Sequence, residues 1–170
     1  MATHTPSIFP LMPDASGNVY PTVFSALTGT TNDFWKHEVL VFADSGTDIY
    51  ASGVFRVPQN YVGSAAFKVA WNGDNVVTGK VVWGLSYRTL VADGSLDQAT
   101  AEEAVSNPSG TTVSGTADGL NLTAIGSPTA GNFTAGDFVE VRLERLGTDA
   151  DDTMAEDAVA HDLYFEYADV

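Results

Sequence analysis

The histidines come first, because a neutral imidazole is the commonest metal ligand and the side chain best suited to moving protons near neutral pH. His4, His37 and His161 are scattered through the chain, and none stands at a metal-binding spacing from another. They read as isolated structural residues. Cysteine is absent, which excludes thiolate nucleophiles, thiolate metal sites and disulfides together. A serine nucleophile would need an activating base and a strained turn to present it, and no Gly-x-Ser-x-Gly elbow occurs.

Carboxylates are plentiful. Glu102-Glu103 with Glu38 or Glu140 would supply the paired acids of a glycosidase, yet no spacing singles two out of 22 acidic residues. Solvated surface acids are the expected reading. The densest acidic run is Asp149, Asp151, Asp152, Glu156 and Asp157, and oxygen-rich loops are what calcium requires. The run lacks the glycine and terminal glutamate of a helix-loop-helix calcium loop at the required offsets. A plain acidic loop is expected, with no metal and no other cofactor.

Gly110, Gly115, Gly119 and Gly126 lack the Gly-Lys-Thr ending of a phosphate loop and mark turns instead. Trp35, Tyr50, Tyr61, Trp71, Trp83 and Tyr164 are the aromatics that could line a sugar-stacking face. Trp71 and Trp83 fall on the apolar side of alternating segments and belong to the core. Tyr164, with Asp162 and Glu166 on either side, is the better exposed contact.

The elements that must position these residues are strands. Ala65, Phe67, Val69 and Trp71 alternate with Lys68 and Asn72, and Val81, Trp83, Leu85 and Tyr87 alternate with Lys80, Gly84, Ser86 and Arg88, the period of a half-buried strand. Asn72-Gly73-Asp74-Asn75 between them tolerates positive φ, which predicts a hairpin. Further strands are expected at Val19 to Leu27, Glu38 to Ala43, Ile49 to Val57, Thr111 to Thr116, Leu120 to Ile125, Phe138 to Leu146 and Asp162 to Tyr167. One short helix is expected at Leu96 to Val105, with Asp97 as its N-cap.

The rhythm is that of an all-β protein, a single antiparallel sandwich or barrel with one short helix in a loop. Length and an apolar content of 44% suit one domain, divided as an N-terminal arm over residues 1–15 and a sandwich over 16–170. Pro6, Pro10 and Pro13 surround Ile8, Phe9, Leu11 and Met12 in the arm, so it is either an edge strand of its own sheet or an apolar contact for a neighbouring subunit.

A formal charge of −15 repels phosphate backbones and anionic lipid, so neither nucleic acid nor membrane is an expected partner. Met1 to Pro13 has neither the basic region nor the apolar run of a secretory signal, and no apolar stretch is long enough to span a bilayer. Synthesis in a cytoplasm is expected. With no visible catalytic apparatus, a structural or binding protein is expected and not an enzyme.

The runs Phe55-Arg56-Val57-Pro58-Gln59-Asn60-Tyr61-Val62-Gly63 and Gly79-Lys80-Val81-Val82-Trp83, then Ala135-Gly136-Asp137-Phe138-Val139-Glu140-Val141-Arg142-Leu143-Glu144-Arg145 and the terminal Tyr164-Phe165-Glu166-Tyr167, together resemble the β-sandwich virion proteins of tailed bacteriophages. The resemblance covers Val54 to Tyr167. It implies a jelly-roll domain, often trimeric, of the kind found as capsid decoration (cement) proteins and in tail or fibre components. It carries no catalytic residues.

On that resemblance the chain is expected on the capsid exterior, as a homotrimer bound to the major capsid protein between capsomers. The alternative is a receptor-binding, carbohydrate-binding module of a tail or fibre. Arg145 paired with Asp149 or Asp152 would fix a loop onto the sheet or lie at an interface. The expected interface residues are Ile8, Phe9, Leu11, Met12, Arg145, Asp149 and Tyr164.

Overall fold

The computed structural model describes residues 3–8, 11–13, 22–24, 39–74, 78–90 and 101–169. Thirteen strands are present among them: β1 (Thr3–His4), β2 (Met12–Pro13), β3 (Thr22–Phe24), β4 (Val39–Phe42), β5 (Ile49–Arg56), β6 (Ala66–Gly73), β7 (Lys80–Val81), β8 (Trp83–Leu90), β9 (Glu103–Ser106), β10 (Thr111–Thr112), β11 (Asn121–Gly126), β12 (Phe138–Arg145) and β13 (Ala158–Ala168). One sheet runs β11-β6-β13-β4-β3 with β1 also on β13, and the other runs β2-β5-β12-β8-β9. Every pairing is antiparallel.

From β4 onward the chain passes back and forth between the sheets, except that β8 and β9 follow each other in one: β4, β6, β11 and β13 lie in one sheet, and β5, β8, β9 and β12 in the other. Two four-stranded layers with that connectivity are a jelly roll, as expected from the sequence. The short pair β7-β10 stands apart from both.

Alternation explains which side chains fill the space between the layers. Along β12, Val139, Val141, Leu143 and Arg145 point inward and are buried, while Phe138, Glu140, Arg142 and Glu144 point outward. The facing layers meet through aromatic edges: Trp71 and Trp83 lie 5.9 Å apart at 65°, and Phe42 meets Trp83 at 5.1 Å.

The expected hairpin does not form. β6 pairs with β11 and β13, and β8 pairs with β12 and β9, so the two segments face each other across the core instead of sharing a ladder. Their apolar faces are both satisfied that way, Trp71 against Trp83. The chain turns at Gly79 (φ +97°), where a Cβ would come within 2.6 Å of the Met154 Cα. Asn75, at the expected turn, lies outside the described residues.

The expected helix over Leu96 to Val105 is also corrected. Its last part is strand β9, in register with β8 from Tyr87↔Glu103 to Gly84↔Ser106, while residues 96–100 are not among those described. The helix-forming tendency of the glutamate and alanine residues is outweighed by the edge of β8, which needs a ladder partner. Among the described residues the one helical element is a 3-10 turn, Ala130–Asn132, and no helix is long and apolar enough to cross a membrane.

The described part of the N-terminal segment is built onto the sandwich itself. β1 adds to β13 in one sheet and β2 to β5 in the other, so the segment contributes a strand to each layer. Between them Ser7 bridges Tyr164, the Ile8 N–H donates to the Leu163 carbonyl at 2.7 Å, and Ile8 and Leu11 enter the core. This is the edge-strand alternative of the sequence reading, with Pro13 in β2 at the edge of its sheet, where a missing N–H is tolerated.

Candidate functional site

Arg145 is the largest buried charge. It ends β12 in inward phase, with about 1% of its side chain exposed. Its Nη2 and Nε donate to Asp152 Oδ1 and Oδ2 at 2.8 and 3.2 Å, its Nη2 also to the Met154 carbonyl at 2.7 Å, and its Nη1 to the carbonyls of Phe42 and Glu156 at 3.2 and 2.9 Å. Asp152 Oδ2 in turn accepts the Val82 N–H at 3.1 Å, and Asp44 lies 3.6 Å from the guanidinium. The planar fork of arginine suits this bidentate role.

Of the two acids the sequence offered to Arg145, Asp152 takes it. Asp149 shapes the turn before it, its Oδ1 accepting the Asp151 N–H and its carbonyl the Asp152 N–H. The acidic run therefore works as a latch that ties the β12–β13 connection to β4 and to the start of β8. Asp157 belongs to the same latch, accepting the Asp44 N–H at 3.0 Å. Among the described residues no three His, Cys, Asp or Glu side chains gather as a metal ion would require.

A second polar cluster sits at the opposite end of β8. The Tyr87 hydroxyl donates to Glu103 Oε2, and Asn132 Nδ2 donates to the Tyr87 oxygen at 2.8 Å and to Glu103 Oε2 at 3.2 Å. The Thr129 N–H and hydroxyl reach the same carboxylate at 2.9 and 3.2 Å. These donors, that of Tyr87 foremost, hold the Glu103 carboxyl below its ordinary pKa against the opposing effect of burial. Burial, with Glu103 adding to it, pushes the Tyr87 phenol well above its own ordinary value.

A glycosidase acid needs a raised pKa, and Glu103 has the reverse. Glu102 accepts the Thr89 N–H, and Glu140 is paired with Arg88 at 2.5 Å. Glu38 lies outside the described residues. Glu102, Glu103 and Glu140 are thus engaged with backbone, hydroxyl or guanidinium partners.

The histidines divide similarly. His161 Nε2 lies 2.7 Å from Oδ1 of the buried Asn72, and His4 Nε2 lies 2.7 Å from Asp169 with its ring stacked on Tyr167. His37 is not among the described residues, nor are Trp35 and Phe9.

Trp71 and Trp83 are fully buried, as expected. The Trp71 indole N–H donates to Thr123 Oγ1 at 2.8 Å, whereas that of Trp83 meets no acceptor among the described residues. Tyr61 is buried and Tyr50 lies under the Arg142 guanidinium at 4.5 Å. Tyr164 is half-buried on the outer face of β13, its phenol pushed up by burial and then by the charge of Asp162.

The named interface residues are therefore dispersed: Ile8 and Leu11 in the core, Arg145 and Asp149 in the latch, Tyr164 on a sheet face, and Met12 in β2. Sequence reasoning missed what the sheets leave outside. Val54 and Phe138 project from one sheet, and Leu120 and Leu122 from the other, all more than half exposed. The signal was present in the alternation, because each stands in phase with charged neighbours. Compared with known proteins, the chain matches no family model and no curated protein.

Proposed function

We propose that this jelly roll is a structural protein of a virus particle, a decoration protein that binds as a homotrimer to the exterior of a tailed-phage head and cements the major capsid protein where capsomers meet. One observation carries the reading: the fold is a double-sheet jelly roll whose polar clusters fasten its own loops to its own sheets, leaving apolar side chains on the outer faces. That is the division of labour of a building block. The likeness of the Phe55–Gly63, Gly79–Trp83 and Ala135–Arg145 runs to phage virion proteins supports the same conclusion.

The mechanism is burial of contact area. At about 25 cal/mol per Å² of apolar surface, an interface of about 1,600 Å² contributes several kcal/mol after ordering costs, repeated at every copy. No bond is made or broken, and no cofactor enters.

Quantitative mass spectrometry of purified particles tests the reading. The protein is expected at a copy number comparable with that of the major capsid protein, and heads lacking it are expected to break at lower temperature. A handful of copies per particle, or saccharide binding by the isolated protein on a glycan array, would instead place it at a tail or fibre as a carbohydrate-binding module.

A further inference from the structure

The outer face of the β5-β12-β8 sheet differs in charge from the rest of the molecule. Cross-strand register places Arg56 beside Phe138, Glu140 between Val54 and Arg88, and Arg142 beside Ser52. Arg56, Arg88 and Arg142 oppose Glu140 and Glu144 on it, a net +1 on a chain of −15, so the remaining residues carry −16. The guanidiniums are already ordered: Arg56 stands 5.5 Å over the Phe138 ring and donates to the Gly136 carbonyl at 3.1 Å. Arginine and aromatic residues are enriched in protein contact cores and lysine and aspartate depleted, and the two glutamates of this face are each paired with one of its arginines.

A complementary surface exists on the other sheet. β11 is that sheet's edge strand among the described residues, and its outward side chain Leu122 is 66% exposed, with Leu120 beside it at 62%. Leu122 shares a cross-strand row with Ala70 and Asp162, and Asp118 lies just before the strand. One face thus offers apolar side chains with arginine, and the other apolar side chains with aspartate.

We infer that the Val54–Phe138 face of one copy docks on the Leu120–Leu122 edge of a second copy of this chain. Two copies of so acidic a protein repel through most of their surfaces, and this face is where the repulsion is relieved. Because the two patches differ, the contact is heterologous, and repetition around an axis closes a ring. Only the expectation of a homo-oligomer is shared with the proposed function, and the contact does not depend on what the ring then binds.

The test uses the purified full chain in sedimentation velocity. Wild type is expected as one discrete oligomer, and Phe138→Asp and Leu122→Asp each as monomers with unchanged far-ultraviolet dichroism. Each variant keeps the patch the other has lost, so an equimolar mixture is expected to give one-to-one dimers, doubling the mass. Monomeric wild type, variants that keep the wild-type mass, or a mixture that stays monomeric would overturn the inference. If either aspartate variant melts early, Val54→Asn and Leu120→Asn repeat the experiment with smaller changes. A monomeric protein still present at capsid-scale copy number would sink this contact and the trimer with it, and leave the decoration role standing.

Discussion

Arg145 and Asp152 hold each other through two hydrogen bonds of 2.8 and 3.2 Å, with 1% and 2% of their side chains exposed. Seven residues separate them in sequence, so the pair closes the turn after β12 onto the end of that strand. The remaining guanidinium hydrogens reach carbonyls of Phe42, Met154 and Glu156, which brings β4 and the approach to β13 into the same knot. A buried pair contributes little over an apolar substitute, but removing one member strands the other charge.

Asp152→Ala is accordingly expected to destabilise the fold by about 3–5 kcal/mol, read as a lower urea midpoint with unchanged slope. The variant leaves a buried cation and an unpaired Val82 N–H behind. Arg145→Met with Asp152→Leu removes both charges and should lose less than Asp152→Ala alone. Equal losses would mean that the three carbonyl contacts, and not the ion pair, carry the stability.

The Glu103 cluster makes a pH-dependent contribution whose sign follows from its lowered pKa. In the unfolded chain such a carboxyl protonates near 4.5. The stabilisation from the folded carboxylate is complete above that value and disappears as the pH falls through the lower folded pKa. Glu103→Gln should cost about 1 kcal/mol at neutral pH, since the neutral amide is a weaker acceptor for Tyr87 and Thr129. The difference from wild type in urea unfolding should shrink as the solution is acidified below the ordinary carboxylate range; a constant difference would remove Glu103 from the pH dependence.

Alternation was legible wherever one face of a strand is buried. Ile49–Arg56, Phe138–Arg145 and Ala66–Gly73 fall within a residue or so of where the pattern places them, and Trp71 and Trp83 are in the core for the reason their phase gave. Partnership was less legible, because period 2 says which face a residue takes and not which strand lies beside it. Thus β6 and β8 face one another when a local turn suggested a ladder, and the Glu103 segment became a strand because β8 offered an edge. Asn132 was invisible for the same reason: its role depends on a long-range approach of the 3-10 turn to Tyr87. For Arg145 the sequence offers both Asp149 and Asp152, and which carboxylate takes it is set by the turn that Asp149 shapes, a matter of geometry and not of residue type.

The N-terminal segment carries a prediction opposite in sense to that of a free arm. Leu11 is 4% exposed, and it lies where a Cβ on residue 53 would come within 2.6 Å of its Cδ2. Gly53 on β5 therefore makes the space that Leu11 fills. Leu11→Ala should cost about 2–4 kcal/mol through lost burial and the cavity left behind, and Ile8→Ala a similar amount. If the segment were an arm for a neighbouring subunit, both variants would melt like wild type as dilute monomers and lose only assembly. Thermal unfolding at a protein concentration below that of assembly distinguishes the two, since core packing within one chain is independent of concentration whereas a subunit contact is not.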